Sequence, residues 1–333
     1  MCNSPDEFLA ELKKLNWRSI PDHPYYDSEY QRVTLTKLKK YGEKYGFAFV
    51  DDPLGFALKP CIDKAFRGLS SEDLRTVNEK VAIGVAQTGD INATVYRSER
   101  GHYAILLNRG LMIFLNKFLK LSLTQGLPEK TIYIDKEAKE LLEKDGISAV
   151  FEFIRGNYLK YGEPLGGKVL PIPEIETKVA SLLHYGENFA VCHELGHFFN
   201  GDLEESFSSG LFTSPASGIS KINHSYEHKI EFLADLSGYE IYRKGCCQGG
   251  DMDEHTSLIA PISTLFDAIG FLDDSENPSH PHPIHRLLNI AYYAHGKEAA
   301  NFWLKTYEGF SNDFVQKMRE FIEELDKNQQ AHR

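Results

Sequence analysis

A chain of 333 residues, 42% hydrophobic and 26% charged, is long enough to bury a sizeable core and too apolar to be disordered throughout. A formal charge of −11 speaks against nucleic acid as a partner, because phosphate binding demands clustered Lys and Arg, and the best cluster here is Lys37, Lys39 and Lys40. A membrane helix needs an uncharged apolar run of about 18 residues; the nearest candidate, Leu106 to Leu123, is interrupted by Asn108, Arg109, Asn116, Lys117 and Lys120, so no membrane span is expected.

Met1 to Ile20 has no basic region followed by an apolar core and does not read as a secretory signal. Ser4-Pro5-Asp6-Glu7 reads as a helix start, with Ser4 capping and Glu7 reaching back. Residues 4 to 90 are expected to be mainly helical, from the spacing of Phe8, Leu9, Leu12 and Leu15 and of Val33, Leu35, Leu38, Tyr41 and Tyr45. A loop is expected at Pro21 to Asp27 and a short strand at Phe47 to Val50. Thr94-Val95-Tyr96 and His102 to Leu107 predict a hairpin about Ser98 to Gly101. A helix follows, with Leu111, Phe114, Leu115, Phe118 and Leu119 on one face. Residues 121 to 180 read as helix-rich with Pro and Gly breaks, and a long helix is expected over roughly Leu182 to Asn200. Residues 206 to 226, rich in Ser, Gly and Asn, read as a mobile loop that would serve as a lid, followed by a helix over 227 to 243. Ser311 to Lys327 reads as an amphipathic helix with Phe314, Val315, Met318, Phe321, Ile322 and Leu325 inward. The five cysteines, Cys2, Cys61, Cys192, Cys246 and Cys247, are odd in number and lack metal-ligand spacing, which fits a reducing cytoplasm.

The segment Cys192-His193-Glu194-Leu195-Gly196-His197 carries chemistry. Histidines four apart share one face of a helix, so both rings can reach one ion, and Glu194 stands beside the first to take a proton from a metal-activated water. On its own the pattern also suits a helix with two structural histidines. A third ligand is offered by Glu231 in Glu231-Phe-Leu-Ala-Asp235-Leu-Ser-Gly238. Asp235, one turn on, is placed to orient a histidine, most simply His193, through its other ring nitrogen. Small Ala234 and Gly238 would let this helix approach the first, and Glu227 and His228 are rival ligands one turn earlier. One Zn2+ per chain is the expected cofactor.

His-Glu-x-x-His followed by Glu-x-x-Ala-Asp-x-x-Gly resembles the gluzincin metallopeptidases, most of all the family of HtpX-type heat-shock and CAAX prenyl-type endopeptidases. Asn92-Ala93, then His102 to Leu111, is similar to that family's hairpin and edge strand, and His280-Pro281 to Arg286-Leu287 to its His-Pro-Pro-x-x-x-Arg signature, with His282 in place of the second proline. The resemblance covers about residues 91 to 295. It implies an α+β fold, a mostly helical zincin-like core with a small sheet packed on the zinc helix. It also implies an edge strand at Asn92 and Ala93 that pairs with an extended protein or peptide substrate, and His280 or Arg286 as donor to the transition state, the plainer reading being a turn packed against the active helix with Arg286 paired to an acid. Tyr239 is a further candidate donor, and equally a core aromatic. The division expected is a helical region 1–90, a catalytic domain 91–300 with a helical insert 121–180, and a C-terminal helix 301–333. The activity implied is peptide hydrolysis by a soluble, cytoplasmic enzyme. A weaker resemblance, to phage-exclusion peptidases of the Lit type, implies one dedicated protein target, and a non-catalytic zinc-bound scaffold is the other reading.

Overall fold

The computed structural model describes residues 3–15, 53–125, 127–203, 226–247, 258–272, 280–307, 309 and 311–330. The expected loop at Pro21 to Asp27, helix about Val33 to Tyr45, strand at Phe47 to Val50 and lid at 206–226 therefore lie outside the described residues, apart from Tyr226 itself. Helix predominates, with two small sheets, so the chain is α+β at that coarse level. The chain forms two compact units, one of residues 1–63, 76–94 and 98–187, the other of 64–75, 95–97 and 188–333.

In the first unit, α1 (Pro5–Leu15) starts as its residues dictate. The Ser4 hydroxyl accepts from the Glu7 amide at 3.2 Å while the Glu7 carboxylate accepts from the amide of Asn3 at 2.6 Å. Helices α2 (Pro53–Arg67) and α3 (Ser71–Lys80) follow. The stretch expected to be helical then ends in a strand, β1 (Val81–Ala86). Its six apolar or glycine residues are too few for a helix with one wet face, and nearly all are buried, as in a strand covered on both faces. The sheet order is β1-β3-β2, with β2 at Ala93–Arg97 and β3 at Tyr103–Asn108, and β1 runs parallel to β3 in the register Val81↔Tyr103 to Ala86↔Asn108. The turn between β2 and β3 is where the sequence places it, closed by Ser98 N–H to the His102 carbonyl at 2.8 Å. From β3 the chain enters α4 (Arg109–Thr124), which buries Leu111, Phe114, Leu115 and Leu119.

Residues 121–180 hold more than helices. Beside α5 (Lys136–Asp145) and α6 (Ile147–Tyr161), β4 (Thr131–Ile134) and β5 (Val169–Pro171) form an antiparallel pair. Asp135 pins it: one oxygen caps α5 by accepting from Ala138 N–H at 2.8 Å, the other accepts from Lys168 N–H at 2.7 Å. The long helix α7 (Pro173–Asn200) begins nine residues before the expected Leu182, with Pro173 in the first-turn position that tolerates it.

The second unit takes the end of α7 together with α8 (Tyr226–Cys247), α9 (Ile259–Leu272), α10 (Pro283–Lys305, kinked at Gly296) and α11 (Asn312–Gln330). Phe189 meets Tyr242 and Phe266 edge-on, with ring centroids 5.8 and 6.0 Å away, and Phe232 stacks on Phe321. In α11, Val315, Met318, Phe321, Ile322 and Leu325 are buried as expected, whereas Phe314 is half-buried and packs against the His282 ring.

Two glycines decide how closely α7 and α8 approach. A Cβ on Gly238 would lie 2.8 Å from the Cα and backbone nitrogen of His193, and one on Gly196 would overlap the Ala234 carbonyl. Backbone cannot yield as a flexible side-chain tip can, so Gly238→Ala is expected to cost about 1–3 kcal/mol. Gly156→Ala in α6, where a Cβ meets nothing within 4 Å, should stabilise by up to about 1 kcal/mol. Urea unfolding of the metal-free proteins checks both.

Glu187 supplies a pH-dependent prediction. Burial pushes its carboxyl up to about 8, only partly offset by the Cys61 thiol, which donates to it at 3.9 Å. Unfolded, the group releases its proton near its ordinary 4.5, so between about 4.5 and about 8 the folded state binds more protons. Stability contributed by this group therefore falls as pH rises across that window and levels off above it. Glu187→Gln is expected to remove the fall, giving a higher unfolding free energy than wild type above about pH 8 and a similar one at about pH 5, by urea titration.

Candidate metal centre

His193, Glu194 and His197 occupy consecutive turns of α7, Glu231 and Asp235 consecutive turns of α8, and Arg286 the first turns of α10. All but His197 are nine-tenths or more buried. Among the described residues, His193, His197 and Glu231 form a group whose ligand atoms all lie within 4.8 Å of one another. The two Nε2 atoms face each other at 3.1 Å, and each lies 3.5 Å from an oxygen of the Glu231 carboxylate.

The outer nitrogen of each ring is taken by a carboxylate. Asp235 Oδ1 is 3.0 Å from His193 Nδ1, as its spacing from Glu231 suggested. Asp202 Oδ2 is 2.7 Å from His197 Nδ1. Asp202 escaped the sequence reading, although the pair Gly201-Asp202 closing the helix was a signal for a capped turn that returns over His197.

Arg286 stands opposite the carboxylates. Its Nε and Nη2 donate to the two oxygens of Asp235 at 2.8 and 2.7 Å, its Nη1 is 3.2 Å from Glu231 Oε2, and its guanidinium lies over the Phe266 ring, 4.9 Å from the centroid. Burial alone would raise both carboxyls, but the guanidinium and the neighbouring histidines together outweigh it and hold Glu231 and Asp235 below the usual carboxylate range. Burial likewise opposes charge on His193, as does Arg286, yet the carboxylates of Asp235 and Glu231 prevail and push that imidazole up to about 10. Surroundings that favour a proton on this ring favour a cation there.

The donor set suits zinc. Tetrahedral ligands at 2.0–2.1 Å from a common ion sit about 3.3 Å apart, close to the observed 3.1, 3.5 and 3.5 Å. Glu231 Oε2 is buried and accepts no hydrogen bond of proper geometry among the described residues, despite the nearby guanidinium. Two imidazoles and one carboxylate are three ligands, one fewer than a tetrahedral ion takes.

Of the other predicted residues, Glu194 is buried beside His193, and its charge reaches Arg286. His280 is exposed, with Nε2 3.7 Å from Glu231 Oε1, at the rim of the site. His282, where the family signature has proline, serves as the N-cap of α10, its Nδ1 accepting from Ile284 N–H at 3.2 Å, and the His285 ring lies tilted against Phe321. Tyr239 is fully buried, edge-on to Tyr293 and beside Tyr242, as a core aromatic would be. Asn92 accepts from the Asn108 amide at 3.1 Å, and Ala93 opens the edge strand β2. The side chain of the rival ligand Glu227 lies outside the described residues, and His228 is buried. Cys61, Cys192 and Cys246 are buried free thiols, and burial pushes Cys246 up to about 11, which keeps it protonated and inert. Among the described residues no helix is long and apolar enough to cross a membrane.

No protein-family model matches the chain, and neither a curated protein nor a solved structure does. What the site can do is therefore argued from its own chemistry.

Removing one side of a buried ion pair leaves the other uncompensated. Arg286→Met is expected to destabilise the metal-free protein by about 3–5 kcal/mol. Arg286→Lys, which keeps the charge but loses the two-pronged grip on Asp235, should fall between it and wild type in urea unfolding.

Proposed function

We propose that this chain is a cytoplasmic zinc-dependent endopeptidase. The observation that carries the reading is the convergence of His193 Nε2, His197 Nε2 and the Glu231 carboxylate on one point, while Asp235 and Asp202 hold the outer ring nitrogens. A structural histidine pair has no need of a shared focus, nor of an acid such as Glu194 beside it.

A zinc ion held by His193, His197 and Glu231 would lower the pKa of a bound water to about 7 and would supply Lewis-acid polarisation to a substrate carbonyl. Glu194 takes a proton from the attacking water as the new C–O bond forms, then delivers it to the amine nitrogen as the C–N bond breaks. Asp235 and Asp202 keep the rings turned with Nε2 inward. His280, exposed at the rim near Glu231, is the candidate donor to the developing oxyanion. Arg286 is committed to Asp235 and Glu231, which supports a role in holding the ligands. The zincin-like architecture, and β2 as the strand that pairs with an extended peptide, belong to this proposal and rest on the resemblance to the HtpX-type and CAAX prenyl-type endopeptidases.

One observation favours a second reading. The Arg286 guanidinium, 3.3 Å from His193 Nε2 and 3.2 Å from Glu231, would neutralise the cluster in a metal-free scaffold. Metal analysis separates the two. About one zinc per chain is expected in wild type and Glu194→Gln, and none in His193→Ala or Glu231→Ala. Glu194→Gln should lose at least about 100-fold in cleavage of an unfolded protein substrate. A wild type that takes up no zinc leaves the scaffold.

A further inference from the structure

The end of α7 is closed in a way that bears on the metal. Gly201 has φ +74°, the left-handed conformation that glycine adopts after a helix. The amide of Gly201 donates to the Phe198 carbonyl at 3.3 Å and that of Asp202 to the His197 carbonyl at 3.2 Å. These are the two bonds of a Schellman cap, and they fix Asp202 directly after the turn that carries His197. The Asp202 side chain then closes on the same residue, Oδ2 to Nδ1 at 2.7 Å. His197 is thus held twice by one residue, at its carbonyl by the Asp202 amide and at its ring by the Asp202 carboxylate. This carboxylate is itself buried, and its Oδ1 has no hydrogen-bond partner among the described residues, so the acid is spent on the imidazole rather than on a charge pair.

We propose that Asp202 is a positioning residue of the metal centre, and that the cap of α7 sets the metal affinity through it. The proposal rests on the metal-site reading above and adds to it. A neutral imidazole carries its one proton on either nitrogen, and only the form protonated at Nδ1 leaves Nε2 free to bind a metal. Asp202 selects that form and stops the ring from turning, so less freedom is lost on binding. Because the cap is built from six consecutive residues, the selection needs no other helix in place, unlike that at His193, whose partner Asp235 comes from α8.

The test is zinc affinity by chelator competition on the full chain, with ¹⁵N NMR of the metal-free histidine rings at mildly alkaline pH. Asp202→Ala is expected to weaken zinc about 10- to 100-fold. The unfolding midpoint of the metal-free protein should stay near wild type, because the backbone bonds of the cap survive. Asp202→Asn, whose amide oxygen can still accept from Nδ1, should recover part of the loss, which a merely structural acid would not predict. In wild type the His197 proton should sit on Nδ1; in Asp202→Ala it should redistribute towards Nε2. Zinc affinity in Asp202→Ala within about two-fold of wild type overturns the proposal. So does an unchanged proton distribution, even in a chain that takes up no zinc. Failure here is thereby told apart from failure of the metallopeptidase reading, which zinc content alone decides.

Discussion

Everything at the candidate metal centre depends on backbone meeting backbone where α7 crosses α8. Glu231 and Asp235 have short reach, and they meet the two imidazoles only because Gly196 and Gly238 let the helices touch without intervening Cβ atoms. The contact falls at His193 itself, so the residue that anchors the packing also supplies the first ligand. Where Gly196 meets Ala234, the smallest side chain available stands on the opposing helix, beside Asp235. Small residues here substitute for the large apolar contacts that usually hold helices together, and Phe189, Phe232, Tyr242 and Phe266 provide those nearby. The helices are held by aromatic burial and spaced by glycine.

That close approach creates an electrostatic problem. Glu194, Glu231 and Asp235 are buried within a few turns of one another, and a carboxylate out of water is expensive unless paired. Arg286 meets most of this cost, gripping Asp235 with two nitrogens and Glu231 with a third. Its flat guanidinium suits the task, since it is weakly hydrated and lies over the Phe266 ring as well as against the carboxylates. The arrangement is more than compensation. By fixing Asp235 it fixes the acceptor for His193 Nδ1, so one cation orients one ligand through one carboxylate. The Glu231 oxygen near Arg286 is left without a well-directed hydrogen bond among the described residues, a gap that a metal would relieve.

Much of this was legible in the sequence, and what was legible was periodic or local. Histidines four apart, carboxylates four apart and the small residues at 234 and 238 state their geometry through helix pitch alone, and α8 and α11 came out within a few residues of expectation. The misses have other causes. The apolar run Val81 to Ala86 has no alternation because both faces are covered, and so it did not stand out from helical neighbours. The pair β4 and β5 is too short to carry a period, and its meaning lies in pairing across more than thirty residues, with Asp135 bonding Lys168. The role of Arg286 stayed open between a donor to the transition state and a partner to an acid, because an arginine's partners are decided by tertiary packing, and here they proved to be two acids on another helix. Nothing in the sequence could supply the division of contacts into two units, since it cuts through α2, α3, β2 and α7.

The two carboxylates behind the histidines differ in how they are delivered, and the difference has a consequence for how the site assembles. Asp202 follows His197 by five residues and needs only the helix end and a glycine turn. Asp235 follows His193 by forty-two and needs α8 docked, with Arg286 in place behind it. One ligand is therefore prepared locally and the other by the fold, and Glu231 arrives with the second. A chain with α7 formed but α8 undocked would present one oriented imidazole, too few donors to hold a metal against water. On the proposed function, affinity would appear only when the helices close, so binding energy would be available to stabilise that docking rather than to trap an earlier state. On that proposal the order of assembly would follow which partners are near in sequence, with His197 prepared first by the cap of α7.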